Sequence, residues 1–357
     1  MTPAKRPLWT SDLPGIGGEF KASPSDFEVE ELPLYEPSGE GQHLYLRVEK
    51  RGVSGSDMLS EIASRLGIRR RDIGTAGIKD KEAVTRQWVS VPAHKLDVDD
   101  DETIGEWSES MRVLEAARHK NKLRRGHLAG NRFSLTIRNV SSPPYEALAS
   151  GRAIAKVLMR DGLPNYYGPQ RFGDGGSTIE LGLGLLRGDD DAKQHVKGNG
   201  FLRRLAVNAV QSHVFNMVLA RRLRESLVRE ALLGDALQKT DTGGTFVAGP
   251  DELEDAQRRL DAGKLVVTGP MPGPKMLQTT DDAAALEQSV YDDAGVDVTR
   301  FERFSRLAPG ARRRLQVSVG EVTVDPSPSD EAALDVAFEL PSGSYATVLL
   351  RELMQPE

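Results

Sequence analysis

The chain has 357 residues, room for two domains with a core each, and carries 47 Lys/Arg against 53 Asp/Glu, a net charge of −6. It contains no cysteine, which excludes disulfides, thiolate nucleophiles and thiolate metal sites, and its six histidines form no HxxxH or HExxH pair, so no metal centre is expected. No apolar run approaches membrane-spanning length and the opening MTPAKRPLWTSDLPG lacks the apolar core of a secretory signal, so a cytoplasmic protein is expected.

In chain order, Phe27-Glu28-Val29-Glu30 reads as a short strand. Leu44, Leu46 and Val48 alternate with polar neighbours as a half-buried strand. Ser56-Asp57 opens a helix with Met58, Ile62 and Leu66 on one face and Gly67 as its stop. The stretch GTAGIKDKEAVTRQWVSV, from Gly74 to Val91, sets Lys79 and Asp80 on a glycine-flanked loop that feeds a strand from Ala83. Phe133, Leu135 and Ile137 mark a further strand, and Pro143-Pro144 starts a helix. From Asn165 the texture changes. NYYGPQRFGDGGS is too dense in turn formers for a regular element, residues 201–228 and 251–261 read as helices, and GPMPGPKM (Gly269 to Met276) reads as a loop. Strand patterns return at Val317-Val319, Val322-Val324 and Leu334–Leu340, followed by a turn and a helix that buries Val348, Leu349 and Leu353. A β-rich start, an α-rich middle and a β-rich end suggest one sheet domain interrupted by an insertion.

Charge is segregated along this chain. Seven acids and no base lie between Asp97 and Glu109, whereas RHKNKLRRGHLAGNR, from Arg118 to Arg132, holds six Lys/Arg, two His and no acid. The basic block is a candidate polyanion-binding surface, with two solvated faces as the plainer reading. Nucleoside-triphosphate chemistry has little support, because GIGG (Gly15 to Gly18) precedes no helical pattern and no GxxxxGK[ST] occurs; no GxSxG elbow appears either.

Four pieces pair aromatics or amides with charge. Lys21 and Phe27 flank a proline turn, Lys79-Asp80 supplies a carboxylate with an ammonium beside it, Asn131 and Phe133 share one strand face, and Tyr345 stands at a helix start. Brought together, they would suit a flipped nucleobase: rings to stack on it, an amide to read its edge, a carboxylate to attack or deprotonate.

GIKDKEAVTRQW, RHKNKLRRGHLAGNRF, PNYYGPQRFG and PSGSYATVLLREL together resemble the tRNA pseudouridine synthase D (TruD) family over nearly the whole chain and in the same order. The resemblance implies an α+β fold: a mixed, mainly antiparallel sheet domain of pseudouridine synthase type in residues 1–165 and 316–357, interrupted by a largely helical α/β insert in residues 166–315 that helps hold RNA. It implies an isomerase that converts uridine to pseudouridine in tRNA, at position 13 of the D-arm, without cofactor or metal. Carried over by motif, Asp80 is the nucleophile with Lys79 beside it, and Lys21 is the basic partner. Phe27, Asn131, Phe133 and Tyr345 contact the base. Separately, the acid-free basic segment makes Lys120, Lys122, Arg124 and Arg125 expected RNA contacts, with Arg171 as a further candidate. The expected partner is tRNA, with no membrane, no protein partner and a monomeric enzyme. Two positions depart from the family pattern: Tyr345 and Tyr167 stand where phenylalanine is usual, and both keep the ring. The competing reading is a non-catalytic RNA-binding or chaperone protein on the same fold; an RNA glycosidase using the same carboxylate is a third.

Overall fold

The computed structural model describes residues 6–20, 23–77, 79, 81–96, 99–141 and 143–356. They form two compact units. One comprises Asp12–Asp161, Ser318–Ala346 and the residues from Leu353; the other comprises the residues up to Ser11, Gly162–Val317 and Thr347–Glu352.

The first unit is built on strands β1 (Gly17–Glu19), β2 (Phe27–Pro33), β3 (His43–Arg51), β4 (Gly74–Thr75), β5 (Val84–Pro92), β6 (Gly105–Ser108), β7 (Met111–His119) and β8 (Leu128–Val140), with helices α1 (Gly55–Arg65) and α2 (Pro144–Asp161). In the second unit come β9 (Leu163–Pro164), α3 (Ser177–Arg187), α4 (Asp190–His195), α5 (Gly200–Arg224), β10 (Ala236–Lys239), β11 (Thr245–Val247), α6 (Leu253–Asp261), β12 (Leu265–Met271), α7 (Asp281–Asp293), β13 (Ala311–Arg314) and β14 (Gln316–Val317). The chain then returns to the first unit with β15 (Val322–Pro326) and β16 (Leu334–Pro341), and α8 (Ala346–Met354) follows.

The large sheet runs in the order β15-β16-β8-β2-β5-β3-β7-β6, with β1 on β8 and β4 on β5. Only the β2–β5 pairing is parallel among the described strands. One face is covered by α1, whose Met58 and Ile62 pack with Leu44, Leu46, Val48, Val89 and Val113. Truncating a fully buried Ile62 in such a core costs about 2–5 kcal/mol. The helix starts at the Ser54 cap, whose hydroxyl accepts from the Asp57 amide, two residues before the expected Ser56.

Strand β3 differs from its half-buried expectation. It lies between β5 and β7, and Tyr45, Glu49 and Lys50 are buried as well. Charges there are tolerated because they are paired: Glu49 takes ion contacts from Arg86 and Arg112, both at or under 3.0 Å. Burial works against the Glu49 charge, yet those guanidiniums hold its carboxyl below the usual range.

In the second unit, α5 is the central helix and packs with α3 and residues of α7 around Ile179, Val207, Val210, Val214 and Phe301. Gly182 sits at the α3–α5 crossing, where an added Cβ would lie 2.2 Å from the Ala206 carbonyl oxygen. The antiparallel sheet β11-β10-β12-β13 completes this unit. Here β12 overruns the expected loop: Gly269, Pro270 and Met271 are strand residues paired with β13. The β10 ladder ends at Val267, so Pro270 has a strand neighbour on one side and its missing N–H is harmless. The end of α5 is held by a buried ion pair, Arg222 with Asp235.

Candidate active site

Strand parity sorts β2 into two faces. Phe27, Val29 and Glu31 point to one side; Glu28 and Glu30 point to the other, where they meet Arg86, Arg47 and Arg132. Register then assembles the site. Val29 lies opposite Phe133 and Glu31 opposite Asn131, while Phe338 of β16 faces Phe133 from the other side. The rings form a continuous group: Phe27 to Phe133 at 6.2 Å between centroids and Phe133 stacked on Phe338 at 5.2 Å. Phe27 and Phe133 are 5% and 7% exposed, so both rings are buried in this state.

Beside the rings lies a polar chain. The Lys79 ammonium donates to Asn131 Oδ1 at 2.6 Å and lies 3.0 Å from Glu31 Oε1. Glu31 Oε2 in turn accepts the backbone N–H of Trp88 at 3.1 Å. The β2–β5 ladder stops at Glu30 and Arg86, so the carboxylate takes over where backbone pairing ends. Glu31 is almost wholly buried, and burial pushes its carboxyl up; the Lys79 charge pulls the other way. The loop bearing Lys79 is anchored by β4, paired to Ser90 and Val89. A Cβ on Gly74 would lie 2.3 Å from the Leu123 carbonyl oxygen, so only glycine fits where that loop leaves the sheet.

Phe27 is positioned by its own neighbour. Asp26 is 3% exposed, takes two hydrogen bonds from Arg138 at 2.7 and 3.1 Å, and accepts the Ser23 amide at 3.0 Å. This fixes the turn from Pro24 to Asp26 that delivers Phe27 to β2. Hydrogen bonding to Arg138 holds the Asp26 carboxyl below its ordinary range, against the effect of burial.

The structure thus brings Phe27, Asn131, Phe133 and Lys79 together. Lys21 and Asp80 lie outside the described residues. Tyr345 is half-buried in the turn before α8; β16 ends at Pro341 opposite Gly130, and Ser342 donates to the Ala129 carbonyl. The basic segment is partly neutralised. Arg118 makes a two-pronged bond to Asp100, Lys120 meets Glu40 at 2.7 Å, and Lys122 donates to the Arg71 carbonyl, whereas Arg124 and Arg125 are exposed. Arg171 belongs to the helical unit, where it donates to Ser212 and lies over the Tyr167 ring.

Glu31, Asp26 and Phe338 escaped the sequence reading. For Glu31 a signal existed: in Phe27-Glu28-Val29-Glu30-Glu31 it is the acid that falls on the apolar parity.

The family model described as tRNA pseudouridine synthase D (TruD) matches residues 5–197 and 190–353. The chain belongs to the tRNA pseudouridine synthase D family. A relative named tRNA pseudouridine synthase D from Anaeromyxobacter sp. (strain Fw109-5) is 43% identical over 350 residues, covering 98% of this chain and 96% of its own. One of the same name from Thermus thermophilus is 40% identical over 356 residues, 99% and 94%. A crystal structure from Methanosarcina mazei assigned to the same family superposes with a TM-score of 0.79 at 24% identity, over 99% and 97% of the two chains. That likeness supports the α+β architecture with its mainly antiparallel sheet.

Proposed function

We propose that the protein isomerises uridine 13 in the D-arm of tRNA, with Asp80 as nucleophile and the base held by Phe27, Asn131, Phe133 and Tyr345. In coarser terms the chain is a tRNA pseudouridine synthase, an isomerase, as its membership of the family and its relatives' names indicate. The non-catalytic reading has no support from those relatives. The observation that carries the finer assignment is the Glu31–Lys79–Asn131 chain beside the phenylalanine group.

The reaction breaks the bond between N1 and C1′, turns the base, and joins C5 to C1′; the C5 proton is lost and N1 gains one. Asp80 supplies the covalent hold during the exchange. Lys79, tied to Glu31 and Asn131, fixes the backbone immediately before Asp80 and orients the Asn131 amide. With Lys79 on one lone pair of Oδ1, the Nδ2 hydrogens are offered as donors to a base, which suits a carbonyl edge such as that of uracil. The phenylalanines offer an apolar wall against which the detached ring can turn. Lys21 is assigned as the basic partner in the site, a role in which a cation favours the ionised form of a carboxylate. Arg124 and Arg125, with Lys120, Lys122 and Arg171, are assigned to RNA contact, and the helical unit to clamping tRNA. The enzyme works as a monomer in the cytoplasm without a protein partner; among the described residues no helix is long and apolar enough to cross a membrane. Chemical mapping of pseudouridine in tRNA treated with the purified protein tests this: one new pseudouridine at position 13 is expected, and its absence, or release of free uracil, would refute it.

A further inference from the structure

The helical unit carries a cavity that the uridine chemistry leaves unused. His213, Met217 and Ala220, spaced by four and three, present one face of α5 to it. Arg6, Pro169, Phe172 and Asn216 complete its lining. About 50 Å³ of it is open to a water-sized sphere, several times what a single water needs and below the roughly 300–1,000 Å³ of drug-sized ligand sites.

Three observations point to a ligand. His213 is 4% exposed and edge-on to Phe172 at 6.5 Å, yet its buried Nε2 has no hydrogen-bond partner among the described residues. Burial lowers the pKa of this imidazole, so it meets the cavity as a neutral ring. Arg6, whose guanidinium donates to the Tyr167 carbonyl at 2.8 Å, is desolvated and repelled by the Arg351 guanidinium, an arrangement that an anion relieves. The wall is also preformed. Asn216 accepts the Tyr167 amide at 2.9 Å and donates to the Tyr167 carbonyl at 3.1 Å, which holds the turn in place. An ordered water needs two to four polar partners, and the remaining lining beside His213 is largely apolar.

We propose that this cavity takes an unstacked nucleobase of the tRNA other than the isomerised uridine, its ring between Phe172 and Met217, an edge atom on His213 Nε2, and the adjoining phosphate at Arg6. The proposal rests on the reading that RNA is the substrate. It gives the helical unit a base-reading role besides backbone contact, because stacking on a slot of this kind accepts any base while the imidazole favours one edge.

The test is a titration of the full-length protein, labelled with 15N-histidine, with uridine and adenosine 5′-monophosphates and, separately, with inorganic phosphate. One imidazole resonance, absent from His213→Gln, should shift saturably with nucleotide and stay in place with phosphate. Met217→Trp, which fills the slot from a half-buried position, should abolish that shift. It should also raise KM for tRNA about tenfold at unchanged kcat and melting temperature. No shift of that resonance, or an equal shift with phosphate alone, would overturn the proposal. Because the titration needs no turnover, it decides the cavity independently of whether uridine 13 is modified.

Discussion

Two buried ion pairs, one in each unit, have nearly the same electrostatics and different endings. Arg222 and Asp235 are both 1% exposed, and their remaining hydrogen bonds close on the backbone: Arg222 on the Leu227 carbonyl, Asp235 on the Leu232 amide. Lys79 and Glu31 are 9% and 1% exposed, and burial raises the acid's pKa in both pairs. Here, however, the cation goes on to the Asn131 side chain, and the next residue in the chain is Asp80. The first pair is a lock on the end of a helix. On the proposed function, the second holds the residue that precedes the nucleophile. Burial of a charge pair alone does not distinguish these roles; the group that receives the last hydrogen bond does.

Breaking either pair sharpens this contrast most. Asp235→Ala and Glu31→Ala should each cost about 3–5 kcal/mol, since each strands a buried cation. Replacing both partners should then separate them. Arg222→Met with Asp235→Leu should recover most of the stability and full turnover per folded molecule, whereas Lys79→Met with Glu31→Leu should recover stability and leave turnover depressed. Chemical denaturation paired with active-site-normalised rates makes the measurement. Equal recovery of turnover in both doubles would reduce Lys79–Glu31 to a second lock.

The next effect concerns the rings beside Lys79. Phe27→Ala and Phe133→Ala should lose about 1–3 kcal/mol of productive base capture in kcat/KM, with tRNA Kd changing much less, because phosphate contacts carry bulk affinity. A parallel fall in affinity would make these rings scaffold.

How much of this was legible in the sequence depends on parity and on charge. The alternation of Phe133, Leu135 and Ile137 located β8 and placed Asn131 with Phe133 on one face, and the resemblance supplied the family. The 13-residue length of β8 was not legible, since its first residues include Gly130 and Ala129, poor strand signals. Glu31 was missed because a single acid on an apolar face looks like a boundary until its cation, 48 positions later in sequence, is placed against it. Helices α3, α4 and α7 went unread for another reason: their glycine, alanine and acidic runs blur the apolar period that packing on α5 makes plain.

A smaller effect tests the tether of Phe27. The Asp26 carboxyl has a lowered pKa in the folded state, so its stabilising effect is complete above the unfolded value of about 4 and disappears as pH falls through the lower folded value. Asp26→Asn should therefore be less stable than the parent at neutral pH, with the gap closing under acid; a gap constant with pH would remove the charge from the explanation. Smallest of all, Arg124→Ala with Arg125→Ala should leave melting unchanged and flatten the salt dependence of tRNA binding. The log–log slope should fall by roughly 0.7–0.9 for each phosphate that is no longer neutralised. A lowered melting temperature with an unchanged slope would assign these exposed side chains to the fold.

The central claim is that Asp80 does covalent chemistry next to the Lys79 chain. Asp80→Asn keeps the shape of the side chain and removes its nucleophilicity, so single-turnover formation of pseudouridine in tRNA is the direct readout. The account predicts no detectable isomerisation, with tRNA affinity and folding nearly unchanged. A rate within tenfold of the parent enzyme would contradict it.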